Sequence, residues 1–113
     1  MNDRTLLELA ARAAGYKLSW SYDNHCCWIN EMRHNFDVTW NPLTDDGDAL
    51  RLSCLLRVSV THRVEEVRVA NRHISAIYES VESDRPAATR RAIVRAAAEI
   101  GKSMTQPGAT SSP

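Results

Sequence analysis

Apolar residues recur at intervals of three and four in three stretches of the chain, and this spacing predicts three amphipathic helices. The stretches are residues 2–14, 44–57 and 86–102. Gly15 and Gly101 are predicted to end the first and third helices, because glycine takes the left-handed conformation of a helix C-terminus at little cost. Polar side chains that can accept hydrogen bonds from the first turn precede each helix. These candidate caps are Asn2 or Asp3, Thr44 or Asp45, and Ser83 or Asp84.

The same spacing assigns an inward face to each helix. Cys54 lies among apolar neighbours in the second helix, which predicts a small core residue. The predicted inward-facing residues are Leu6, Leu9, Ala10 and Ala13, then Ala49, Leu52, Leu55 and Leu56, and finally Ile93, Val94, Ala97 and Ile100.

Between the first two helices the period shortens to two, which is typical of half-buried strands. Leu18, Trp20 and Tyr22 alternate with polar residues, and residues 26–32 form the returning strand of a predicted hairpin. In this hairpin Trp28 lies roughly opposite Trp20. Residues 33–43 are predicted to be a loop, since an asparagine–proline pair disfavours helical geometry.

Residues 58–81 alternate valines and isoleucines with polar residues, which predicts two or three short antiparallel strands. The resulting order, α-β-β-α-β-β(-β)-α, indicates an α+β fold in which an antiparallel sheet packs with about three helices in a sandwich-like arrangement. Residues 1–102 form one domain. Residues 103–113 are small, polar and proline-containing, and are predicted to be a disordered tail.

Charge and cysteine content narrow the class of protein. Fourteen basic residues balance fourteen acidic ones among 113 residues, whereas a dedicated DNA-binding protein usually carries a basic excess. Three cysteines that include an adjacent pair make a poor disulfide framework, so all three are expected to be reduced thiols. The chain shows no signal-peptide pattern and no apolar run of a membrane span's length, so a cytoplasmic protein without membrane contact is expected.

His25, Cys26 and Cys27 are residue types that bind zinc. Their spacing does not suit a zinc site, because adjacent residues on a strand point to opposite faces. A turn followed by one buried thiol is the favoured interpretation. No metal or cofactor is predicted.

Three aspartates surround Gly47 at the start of the second helix. Asp45, Asp46 and Asp48 could bind Ca²⁺ or Mg²⁺ through oxygen atoms. The further ligands of a calcium loop are missing from the residues that follow. These acids are therefore interpreted as helix caps that complement the helix dipole.

Four arginines in and beside the third helix form a candidate binding surface. Arg85, Arg90, Arg91 and Arg95 could contact phosphates or an acidic partner, and the alternative is an ordinary solvated helix face. Trp40 is a further candidate. It is either an exposed anchor for a partner or a plug over the core.

A catalytic role would need a nucleophile beside a base. Cys27 or Cys54 could serve as a nucleophile with a histidine base, but nothing in the sequence places a base beside Cys27. The chain is therefore predicted not to be an enzyme.

Residues 40–52 (WNPLTDDGDALRL), 88–102 (ATRRAIVRAAAEIGK) and 3–15 (DRTLLELAARAAG) resemble small proteins encoded by tailed bacteriophages and prophages. Their layout is similar to that of the phage ABA-sandwich domain. The resemblance implies a phage accessory protein that modulates a host or phage protein, with host defence systems among the targets, and the matching residues are structural. Residues 16–38 depart from the pattern.

The leading expectation is therefore a non-enzymatic protein that binds a host or phage protein, or itself as a homodimer. Binding of nucleic acid or a nucleotide through Arg85, Arg90, Arg91 and Arg95 is the alternative, and a small enzyme is the third possibility.

Overall fold

The computed structural model describes residues 2–20, 27–31 and 36–104, and for residues 27–31 and 36–38 it describes the backbone. It confirms the predicted α+β class, with antiparallel sheets and three helices. In chain order the elements are α1 (Asp3–Ala14), β1 (Leu18–Trp20), β2 (Cys27–Glu31), β3 (Phe36–Thr39), α2 (Asp46–Leu56), β4 (Ser59–His62), β5 (Glu66–Asn71), β6 (Ile74–Ser80) and α3 (Arg85–Ser103).

The strands form two antiparallel sheets, ordered β1-β2-β3 and β4-β5-β6. Trp20 pairs with Cys27, and Trp28 pairs with Ser19, so the hairpin register differs by one residue from the predicted pairing of the two tryptophans. Strand β3 lies within residues 33–43, where a loop was predicted, and that prediction was wrong. The sequence Phe-Asp-Val-Thr alternates as a strand should, but the following Asn41-Pro42 pair favoured a loop.

The helix starts follow local hydrogen bonding. The side chains of Asn2, Asp45 and Asp84 accept hydrogen bonds from backbone N–H groups three residues further along, and they are the N-caps of α1, α2 and α3. Gly15 ends α1 in the left-handed conformation, with φ at 78°, as predicted.

Helix α3 is the centre of the fold. It packs against α1 and α2 and also against strands β5 and β6, so it is buried around most of its circumference. It continues through Gly101 to Ser103, so Gly101 does not end the helix as predicted. A Cβ atom at Gly101 would overlap the carbonyl oxygen of Leu9, and the missing side chain lets α1 and α3 approach closely.

The inward faces of α1 and α2 are rotated relative to the prediction. Helix α2 buries Ala49, Leu52 and Ser53, whereas Leu55 is 50% exposed and Cys54 is exposed, contrary to their predicted places in the core. The buried set follows the i, i+3, i+4 spacing of one helix face, to which residues 54 and 55 do not belong. On α1, Leu7 and Ala11 are buried in addition to Leu6 and Ala10, while Leu9 and Ala13 are half-buried.

Residues 105–113, most of the predicted disordered tail, lie outside the described residues. Within the part of the chain that is described, no helix has both the length and the apolar character needed to cross a membrane.

Candidate binding groove

The four arginines do not form one surface. Arg85 donates hydrogen bonds to the carbonyl oxygens of Arg63 and Val64, at 2.6 and 3.0 Å, and lies 3.2 Å from Nδ1 of His62. It therefore holds the hairpin between β4 and β5 against the start of α3.

Arg90 ties α2 to α3. Its Nε donates to the carbonyl oxygen of Leu43 at 2.8 Å, and its guanidinium forms an ion pair with Asp46 at 2.6 Å. The Arg90 side chain is 17% exposed, so little of it is available to an external ligand.

Arg91 and Arg95 point to other neighbours. Arg91 forms an ion pair with Asp3 of α1 at 3.1 Å. Arg95 donates to the carbonyl oxygen of Tyr78 at 3.0 Å and to the carboxylate of Glu79 at 2.6 Å. The four predicted binding arginines are therefore divided between two sides of α3, and each one already binds acceptors within the chain.

Trp40 is 3% exposed and packs edge-to-face on Tyr16, with ring centroids 5.6 Å apart. It is therefore the core plug of the two predicted alternatives, and not an exposed anchor. A buried ring in this position contributes to stability rather than to direct contact with a partner.

A groove of about 490 Å³ opens between α2, β4 and the first half of α3. Its volume lies within the range of about 300–1,000 Å³ that is usual for ligand sites. Helix α2 supplies Ala49 and Leu50, which belong to the same stripe as Asp46 and Ser53. The other lining residues are Val60 and His62 from β4, and Arg85, Pro86, Thr89, Arg90 and Ile93 from α3.

The groove is apolar along most of its length and polar at one end. Leu50 on its α2 wall is 63% exposed, so a large apolar side chain is open to solvent beside the groove. Arg85 and Arg90 lie five residues apart, or about 7.5 Å along the axis of α3. They bind His62 and Asp46, so these four polar side chains gather near the N-terminus of α3.

A carboxylate, a hydroxyl and a histidine all line this groove, but each already bonds another group of the chain. The hydroxyl of Ser53 donates to the carbonyl oxygen of Leu50 at 2.9 Å. Nδ1 of His62 faces Arg85, which can only donate, so that nitrogen acts as an acceptor. Asp46 is paired with Arg90. The arrangement does not join the three groups into a nucleophile and its base.

The three aspartates at the start of α2 stabilise the helix and the loop before it. Asp45 is the N-cap, as predicted, and Asp48 accepts a hydrogen bond from the Asn41 backbone at 2.9 Å. A further hydrogen bond to Asp48 raises the pKa of the Arg51 guanidinium. Among residues 2–20, 27–31 and 36–104, no group of three or more His, Cys, Asp or Glu side chains is placed to hold a metal ion.

His25 and Cys26 lie outside the described residues, and for Cys27 the backbone alone is described, at the start of β2. The zinc hypothesis for these three residues and the catalytic hypothesis for Cys27 therefore stay predictions. Cys54 is a free, exposed thiol on α2.

The apolar lining of the groove was not predicted. Leu50 and Pro86 lie off the inward faces that helical spacing assigned to α2 and α3. A leucine outside the predicted inward face of a helix is a weak signal, since single apolar residues are common on protein surfaces. Leu50 becomes part of a groove because strand β4, which begins nine residues further along the chain, forms another of its walls.

A second, smaller cleft of about 380 Å³ is lined by Leu6, Glu79, Arg91, Arg95 and Glu99. Its charged groups pair largely with one another or with α1.

Comparisons of the chain with protein-family models, curated proteins and solved structures found no match.

Proposed function

We propose that this chain is a non-enzymatic binding protein that engages a protein partner through the α2–β4–α3 groove. The observation that carries the proposal is the groove itself, a concave and largely apolar surface with Leu50 exposed on its wall. Apolar pockets with a polar rim are the sites at which partners gain most of their binding energy.

The resemblance to phage and prophage proteins supports the biological setting. It implies action in the cytoplasm of a bacterial host, on a host or phage protein, with defence components among the candidate partners. The alternative occupant of the groove is a second copy of this chain, which would make the protein a homodimer.

Nucleic-acid binding has less support. Phosphate recognition needs arginine or lysine side chains whose donors face outward, and Arg85, Arg90, Arg91 and Arg95 donate to acceptors within the chain. The enzyme hypothesis also has less support, because the polar groups of the groove bind other partners.

The test compares two charge substitutions on one helix. Leu50 lines the groove and Leu55 does not, yet both are at least half exposed and both belong to α2. Leu50→Glu and Leu55→Glu therefore introduce the same charge at similar cost to the fold. The wild-type chain and both variants are immobilised and exposed to nuclease-treated bacterial lysate, and retained proteins are identified by mass spectrometry.

We expect a protein that is retained by the wild-type chain and by Leu55→Glu, and is lost with Leu50→Glu. Retention of the same proteins by all three chains would contradict the proposed groove. A wild-type chain that retains nothing and stays monomeric in light scattering would contradict the binding function.

A further inference from the structure

Strand β4 lies at the edge of its sheet. Among the described residues, it pairs with β5 and with no other strand. The Arg63 N–H donates to the Glu66 carbonyl oxygen at 2.9 Å, which makes these two residues a hydrogen-bonded pair of the antiparallel ladder. Such pairs alternate with non-hydrogen-bonded ones. Val60 and His62 fall at the non-hydrogen-bonded positions, so their backbone N–H and C=O groups point away from β5.

The sequence of this edge lacks two of the usual protections against pairing. Edge strands are commonly blunted by lysine, proline or a bulge, and residues 59–62 (Ser-Val-Thr-His) contain neither lysine nor proline. The β4–β5 register is regular over four consecutive pairs, whereas the β5–β6 register shifts between Val69 and Asn71. No bulge therefore interrupts β4 along its pairing with β5.

The open edge borders the groove. Val60 and His62 line it with their side chains, and Leu50 forms the facing wall on α2. A chain that paired with β4 would send alternate side chains toward the helices, because successive residues of a strand point to opposite faces. Backbone pairing and apolar side-chain burial are thus available to one extended ligand at the same place.

The polar end of the groove favours an acidic group. Asp46 neutralises Arg90 there, whereas Arg85 bonds two carbonyl oxygens and His62 and, among the described residues, no carboxylate. Within the described part of the chain, the positive charge of Arg85 is therefore not balanced by an ion pair. Charge complementarity therefore selects an acidic side chain at the end of the ligand near His62 and Arg85.

We propose that β4 recruits an extended segment of a partner protein as an added strand, with apolar side chains in the groove and an acidic side chain beside Arg85. This inference rests on the proposed function and specifies its ligand. Strand addition gives affinity through main-chain hydrogen bonds and selectivity through the pockets for alternate side chains.

The first experiment uses an array of heptapeptides capped at both ends, so that side chains are the only charges. Positions 2, 4 and 6 point to one face of the strand. Two of them carry valine, leucine or isoleucine, and either position 2 or position 6 carries aspartate, serine or lysine, so that both directions of strand addition are tested. The strongest binder is then labelled with fluorescein, and its affinity is measured by fluorescence anisotropy. We expect aspartate to be preferred over serine, and lysine to be rejected.

The second experiment methylates the peptide backbone nitrogens one at a time. If the peptide adds to β4, methylation weakens binding on the order of tenfold at every second position, because the N–H groups that face β4 alternate with outward ones. Equal losses at all positions, or no loss at any, would overturn strand addition. This test leaves the protein unchanged and so does not depend on the folding of a variant.

Substitutions in the chain provide an independent test of strand addition. Val60→Pro removes an outward N–H group without breaking a bond of the β4–β5 ladder, and proline is tolerated on edge strands at such positions. We expect Val60→Pro and Leu50→Glu to abolish peptide binding and Leu55→Glu to preserve it. Circular dichroism checks that Val60→Pro is folded, and the methylation series decides the question if it is not.

The outcomes separate the inference from the proposed function. If no array peptide binds while the lysate test retains a protein through Leu50, the partner binds without strand addition and this inference fails alone. If both tests are negative, the proposed function fails as well. A concentration-dependent dimer in which the Val60 and His62 amide signals shift would assign the edge to a second copy and overturn the inference.

Discussion

Arg57 has a left-handed backbone conformation at the end of α2, with φ at 56°. Its N–H group bonds the carbonyl oxygens of Ser53 and Cys54, so the conformation closes the helix. An L-amino acid with a side chain pays about 1–2 kcal/mol to adopt this conformation, whereas glycine adopts it readily. Gly15 does the same for α1 without that cost.

We expect Arg57→Gly to stabilise the fold by about 0.5–1 kcal/mol, because relief of the left-handed strain exceeds the added flexibility of the unfolded chain. The measurement is the free energy of unfolding in urea. Arg57→Ala is the matched control, since it removes the side chain but keeps the strain. An equal gain from Arg57→Ala would show that the side chain, not the backbone conformation, is responsible.

At the scale of elements, the contact between α1 and α3 depends on small side chains. Ala10 and Ala11 on α1 and Ala97 and Ala98 on α3 are fully or almost fully buried. Gly101 extends this seam to the last turns of α3, where the backbone of Leu9 occupies the place of a Cβ atom. Close backbone approach makes this helix pair intolerant of added volume.

We expect Gly101→Ala to destabilise the fold by about 1–3 kcal/mol, because overlap with backbone atoms forces the two helices apart. Gly47→Ala is the control. There a Cβ atom meets side-chain atoms of Asp45 and Arg51 at 3.2 and 3.4 Å, and these side chains can move. Unfolding in urea, followed by circular dichroism, compares the two. A Gly101→Ala chain as stable as wild type would contradict the tight seam.

For the whole molecule, the central position of α3 determines which residues resist local unfolding most. Its residues 92–98 are buried or half-buried between other helices and the sheet, so they can open only when the fold does. The edge strand β4 is at the opposite extreme, since its outward N–H groups have no ladder partner among the described residues.

We expect native-state hydrogen exchange to be slowest at the amides of residues 92–98, with protection that approaches the free energy of global unfolding. The amides of Val60 and His62 should exchange faster than those of Ser59 and Thr61, which face β5. Exchange is measured by NMR spectroscopy. Slow exchange at Val60 and His62 in the isolated chain would show that the edge of β4 is already paired.

Helix boundaries and caps could be predicted from the sequence because they depend on neighbouring residues. Asn2, Asp45 and Asp84 bond backbone groups three residues away, and Gly15 acts through its own conformation. The strands of residues 58–81 and the α+β class follow from the change of period, which is also a local property. The C-terminal ends of α2 and α3 were harder to predict. Arg57 is not a residue type that marks a helix end, and Gly101 is one but lies inside α3.

The hydrogen-bonding partners of each arginine were decided by the tertiary structure alone. Arg90 bonds Leu43, 47 residues away, and Arg91 bonds Asp3, 88 residues away, so no local pattern specifies these contacts. The same holds for the groove, whose walls meet because α2 and β4 both pack beside α3. Sequence periodicity determined the three helices and most of the strands, although β3 was missed. Their packing determined that Trp40 is a plug, that the arginines bond acceptors within the chain, and that Leu50 lines a groove beside the edge strand β4.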